Sequence, residues 1–192
     1  MGQYYWTLNI DRKERLNPLL YGQGLKMVEH MWAGNSFLYE LLHLLAGDWK
    51  GDRLFHHGDY AEDIPEEFNF NYQEHTGSIL TYDPYDGYTF LKDHWVEKMD
   101  DLWNQFAARH VLVNYDKMVY CEINCRAVAS SGDRICPLPL LLSDSNVIAS
   151  GDYTAFSDYR SLRSWTYNRI GVEPREASIL LKMNEIEYNF AW

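Results

Sequence analysis

The chain has 192 residues, 46% of them apolar and 23% charged, and a formal net charge of −11. That length suits one domain, or two small halves around one core, and the composition excludes a disordered chain. The charge and the lack of any basic run argue against direct nucleic-acid binding, and no 18 consecutive apolar residues offer a membrane span.

Read in chain order, residues 4–9 are aromatic and β-prone, 10–13 are polar enough to turn, and 14–16 return, which predicts a hairpin. Asn17-Pro18 breaks it. Gly22 and Gly24 precede a helical stretch over about 25–32. Asn35 or Ser36 is the expected N-cap of the next helix. In that helix Phe37, Leu38, Leu41, Leu42 and Leu45 share one face of a 3.6-residue period, and Gly47 closes it. Leu54-Phe55 forms the centre of a short strand. Residues 61–87 are acidic, aromatic and interrupted by Pro65, Pro84 and two glycines, so a long surface excursion with one or two strands is expected.

Asp93 is the expected cap of a second amphipathic helix, with Trp95, Met99, Leu102 and Phe106 on its stripe, widened by Val96 and Trp103. Residues 110–114 and 118–123 predict a second hairpin turning at Tyr115-Asp116-Lys117. The apolar run 135–142 carries Pro137 and Pro139, which predicts an irregular core segment or an edge strand. Residues 177–192 alternate as a strand does. The opening residues lack the basic and apolar regions of a secretion signal, and Trp6 stands where a myristoylation pattern wants Ser or Thr. Cys121, Cys125 and Cys136 are therefore expected as reduced, buried thiols in a cytoplasmic protein.

Two pieces recur in order. Asn9-Ile10-Asp11-Arg12 follows one aromatic strand, and Asn114-Tyr115-Asp116-Lys117 follows another, 105 positions later. Trp49-Lys50-Gly51-Asp52-Arg53-Leu54 is matched 116 positions later by Trp165-Thr166-Tyr167-Asn168-Arg169-Ile170. The expectation is an α+β fold of two degenerate, hairpin-containing halves sharing one core. Mostly antiparallel sheet is expected, with at least two amphipathic helices. The whole of 1–192 reads as a single domain: a first half of about 1–60, the excursion at about 61–92, and a second half of about 93–192.

Gly2-Gln3-Tyr4-Tyr5, Asn9-x-Asp11-x-Lys13-Glu14, Gly24-Leu25-Lys26, Trp49-x-Gly51-Asp52-Arg53 and Gly58-Asp59-Tyr60-Ala61 resemble the motifs of a scattered family of uncharacterised proteins. Pro137-Leu138-Pro139-Leu140-Leu141 and Gly151-Asp152-Tyr153 extend the resemblance into the second half. It brings no activity, ligand or catalytic residue.

The densest polar group in the sequence is Asp52, Arg53, His56, His57, Asp59, Glu62 and Asp63, where carboxylates and imidazoles could form an acid–base pair. On a strand the adjacent His56 and His57 face opposite ways, and a structural Asp–Arg pair accounts for the rest. No metal and no cofactor is expected, since no spacing matches a zinc signature and no Walker, Gly-x-Gly-x-x-Gly or Gly-x-Ser-x-Gly motif is present. Tyr21-Gly22-Gln23-Gly24 echoes a phosphate loop only faintly, and a turn explains it.

Tyr82, Asp83, Tyr85, Asp86 and Tyr88 place aromatic anchors beside acids on a turn-rich loop, a composition suited to an interface. The expected function is binding, and through binding inhibition or neutralisation, of a protein partner with a basic surface, as immunity or anti-defence inhibitors do, without catalysis. The alternative is a small-molecule or nucleotide binding protein, or a hydrolase, with a site between the halves built on Asp52, Arg53, His56 and Asp59. A closed pocket around a buried Arg53 would favour the alternative.

Overall fold

A computed structural model describes residues 4–59, 64–76, 96–124, 134–144 and 164–188. The first hairpin pairs β1 (Tyr5–Asn9) with β2 (Glu14–Leu16), and β1 also pairs antiparallel with β3 (Leu54–Gly58). A parallel pairing of β2 with β4 (Gln73–Glu74) completes sheet I, in the order β3-β1-β2-β4. Sheet II repeats this plan. Its hairpin is β5 (His110–Asn114) and β6 (Val119–Glu122); β7 (Ile170–Pro174) pairs antiparallel with β5, and β8 (Asn184–Glu185) parallel with β6. The fold is α+β with two four-stranded mixed sheets, one per half.

The correspondence reaches single hydrogen bonds. The Arg12 N–H donates to Asn9 Oδ1 at 3.0 Å and the Lys117 N–H to Asn114 Oδ1 at 3.0 Å, so the same Asn side chain folds both hairpin turns. Lys13 and Met118 hold the left-handed backbone at φ 57° and 54°, and so do Gly51 and Tyr167 at φ 84° and 63°. Left-handed backbone costs a residue with a Cβ about 1–2 kcal/mol, so its recurrence at matched positions reflects one shared chain path.

The halves meet where Arg53 bridges Arg169 antiparallel. Around that point the bonds come in exchanged pairs. The Gly51 N–H donates to the Ile170 carbonyl (2.8 Å) and the Tyr167 N–H to that of Leu54 (2.9 Å). The Ile170 N–H reaches the Asp52 carbonyl (3.1 Å) and the Leu54 N–H that of Asn168 (3.4 Å). The seam is thus a pseudo-two-fold axis.

Helices cross the seam. Helices α1 (Met27–Met31) and α2 (Ser36–Ala46) lie in the first half; α3 (Val96–Arg109) and α4 (Leu138–Leu142) lie in the second. Asn35 caps α2 by accepting from the Leu38 N–H at 3.0 Å, as its sequence predicts. Helix α2 packs on β7 of the other half, and α4 packs on β3 and α1. One apolar cluster consequently joins Phe37, Leu41, Leu45, Trp49 and Leu54 to Trp103, Leu112, Leu141, Trp165 and Val172. The two repeat tryptophans, Trp49 and Trp165, are fully buried within it.

Three expectations change. Residues 135–137 are an irregular core segment, as expected, but 138–142 are not: α4 begins at Leu138, because prolines at the start of a helix give up only N–H groups that lack intrahelical partners anyway. Residues 177–188 are only briefly a strand. A 3-10 turn (Ser178–Lys182) comes first, and its three-residue period puts Leu180 and Met183 together over Val111 and Val113. Residues 64–74, assigned to the excursion by sequence, belong to sheet I: Phe68, Phe70 and Tyr72 cover Leu8, Ile10 and Phe55, and β4 joins β2. Asp93 and Trp95 lie outside the described residues.

Candidate functional site

The residues that sequence reasoning grouped in segment 52–59 are spread along β3 and used separately. Asp52 and Asp59 flank the strand, about 20 Å apart at strand rise. Asp52 accepts from Asn9 Nδ2 and Arg12 Nε, both at 2.9 Å. Arg53 donates through Nε (3.0 Å) and Nη2 (2.5 Å) to Asp11 Oδ1, and its backbone N–H to Asp11 Oδ2 at 2.7 Å. Burial alone would raise the Asp11 pKa, but the bonds and charge of Arg53 outweigh it and hold the carboxyl below its ordinary value. The Arg53 side chain stays 41% exposed and stands over the Phe68 ring, so no closed pocket forms around a buried Arg53. Asp59 accepts from the Tyr4 N–H at 2.9 Å.

His56 and His57 do face opposite ways. His56 is fully buried and stacked on Tyr5. Its Nδ1 lies 2.9 Å from Thr7 Oγ1, and its Nε2 3.0 Å from Nδ1 of His30, whose Nε2 is 2.8 Å from the Gly24 carbonyl. Gly24 O can only accept, so His30 carries its proton on Nε2. His30 Nδ1 then accepts from His56 Nε2–H, leaving His56 Nδ1 to accept from Thr7. With both rings neutral every partner is satisfied, and burial favours that state by lowering the pKa of each, that of His30 to about 4. The chain is a core polar network, and the Gly22–Gly24 turn serves it rather than a phosphate. His57 points outward with Nδ1 2.6 Å from Asp144 Oδ2, and the Gly58 N–H binds the other Asp144 oxygen at 3.2 Å. This pair ties β3 to the end of α4.

Among the described residues no three His, Cys, Asp or Glu side chains converge as a metal site. Cys121 and Cys136 are buried, and burial pushes the Cys136 thiol up to about 12. Cys125, Glu62, Asp63 and the interface residues Tyr82, Asp83, Tyr85, Asp86 and Tyr88 lie outside the described residues.

A groove that sequence reading did not single out runs over the outer face of sheet II, with a volume of about 340 Å³. Val111, Ala177, Leu180 and Leu181 give it an apolar lining, and Glu122, Glu176 and Glu185 rim it. Arg175, the one cation among the described lining residues, is consumed: both Nη groups bind the two Glu122 oxygens, and Nε and Nη2 also reach the carbonyls of Ala108 and Ala107. Glu176 and Glu185 are left as net negative charge. Leu181 is 90% exposed at the edge. The sequence signal was faint, since these residues come from β5, β6 and the C-terminal turn and no periodicity joins them.

Comparison with family models, with curated proteins and with solved structures gives no match.

Proposed function

We propose that the protein acts by binding a basic protein partner, and through that binding inhibits or neutralises it, with no chemistry of its own. The observation that carries this reading is the groove on sheet II. An exposed leucine stands beside acids, and Arg175 in the groove lining is already paired with Glu122, which suits a partner offering Lys or Arg around an apolar side chain. The net charge of −11 adds long-range attraction to such a partner. The open, ion-paired surroundings of Arg53 speak for the same reading over a site at Asp52, Arg53, His56 and Asp59. Tyr82, Asp83, Tyr85, Asp86 and Tyr88 are proposed as further contacts with this partner.

Affinity capture from the native source tests the proposal when wild type is run beside a Leu181→Asp/Glu176→Lys/Glu185→Lys variant. All three side chains sit at exposed positions, so the variant empties no core position, and circular dichroism checks that it folds. Wild type is expected to retain a basic protein that salt releases, and the variant to lose it. Capture of the same protein by both, or of a partner indifferent to salt, contradicts the proposal.

A further inference from the structure

We propose a second site, for a small hydroxylated oxyanion, in the seam between the two halves. The pseudo-two-fold axis makes two equivalent places beside the Arg53–Arg169 bridge, and they are filled differently. At one, Tyr167 sits in left-handed backbone and lays its ring against Phe55 and Phe68, with centroids 5.1 and 5.0 Å away. At the other, the matching residue is Gly51, and nothing lies within 4 Å of where its Cβ would stand. A hollow of about 540 Å³ remains, lined by Gly47, Lys50, Gly51, Tyr115, Arg169 and Glu173. That volume is in the range of small-molecule sites.

The polar groups around it define what it would take. Glu173, only 7% exposed, is held at both oxygens: the Tyr115 hydroxyl donates to Oε1 at 2.7 Å and Lys50 Nζ to Oε2 at 2.8 Å. Its charge is therefore already answered, while Lys50 keeps further N–H groups to offer. Arg169 gives Nε to Asp116 at 2.7 Å, but its Nη groups make no hydrogen bond among the described residues. The matching Arg53 spends both Nε and Nη2 on Asp11. A planar guanidinium fork and an ammonium thus border the hollow, a donor set that fits phosphate or carboxylate oxygens. The Tyr115 oxygen and the remaining lone pairs of Glu173 accept from hydroxyl groups. The net charge of −11 opposes an anion at long range, but physiological salt screens that field beyond about 8 Å, so the local donors decide.

Calorimetric titration of the full chain with ribose 5-phosphate and, separately, with gluconate tests the proposal and tells phosphate from carboxylate. Saturable binding of either is expected. Gly51→Tyr, which copies the residue and backbone geometry already present at Tyr167, should abolish it. Arg169→Gln, at a 59%-exposed side chain whose backbone bond to Asp116 is kept, should weaken it roughly tenfold or more. Failure of both compounds to bind at millimolar concentration, or binding unchanged by Arg169→Gln, overturns the proposal. Because Arg169→Gln decides alone, a Gly51→Tyr chain that fails to fold leaves the test intact.

Discussion

Acidification should destabilise the protein well before its carboxylates titrate, through the buried histidines. Native His30 takes a proton only near pH 4, whereas in the unfolded chain it does so near 6.5. Between those values the unfolded state holds more protons, so stability falls as pH falls; above 6.5 the contribution is complete, and below 4 no more is lost. At 1.36 kcal/mol per pH unit, His30 alone accounts for a loss on the order of 2 kcal/mol between pH 7 and 5. His56, fully buried with its pKa well below the ordinary value, adds a loss of the same sign, and so does His43 beside His110. Against a typical total of about 5–15 kcal/mol, this is a large share. Urea unfolding at pH 7.5, 6.5, 5.5 and 5.0 measures the slope. His30→Gln, whose amide can still bond to His56 and Gly24, should flatten it by up to about 1.4 kcal/mol per pH unit. Stability that is flat over this range, or an undiminished slope in His30→Gln, refutes the reasoning. Imidazole nitrogen shifts that place the His30 proton on Nδ1 would refute the hydrogen-bond chain.

Three other perturbations follow from the packing. Trp165→Ala empties a fully buried position where both halves meet and should cost about 3–5 kcal/mol in chemical denaturation. Gly171→Val should destabilise by about 1–3 kcal/mol, because a Cβ there comes within 2.7 Å of the Tyr115 hydroxyl; Gly51→Ala, facing open space, meets no such clash and should cost only the about 1–2 kcal/mol of its left-handed backbone. Replacing residues 77–92 with a short Gly/Ser linker should leave the thermal midpoint nearly unchanged, whereas extending the deletion back to residue 64 should lower it sharply by uncovering Leu8, Ile10 and Phe55.

Much of the fold was legible because the repeat is written in turn and seam residues. Asn9 and Asn114 fold the two hairpin turns, and Arg53 and Arg169 bond to Asp11 and Asp116 through both backbone and side chain. Such local roles keep a fixed spacing, and the matches at 105 and 116 positions align β1 with β5 and β3 with β7. Local rules failed where tertiary context decided. Pro137 and Pro139 signalled a break but sit where a helix tolerates them. The aromatic residues 68–72 looked like part of a surface excursion because their partners, Leu8, Ile10 and Phe55, lie far off in sequence. The site was less legible still. His56 looked reactive beside acidic neighbours, yet its partners are Thr7 and His30, and neither the groove nor the hollow draws its residues from one segment.

The claim beneath the fold and the hollow is that the two halves form one unit closed at a pseudo-symmetric seam. Native-state hydrogen exchange at the amides of Gly51, Leu54, Tyr167 and Ile170 tests it most directly, because each donates across the seam. All four should exchange only through global opening, at one common free energy equal to that of chemical unfolding. Exchange of these four at a lower free energy than the β1 and β5 amides, with each sheet still protected, would mean that the halves open independently and would contradict the account.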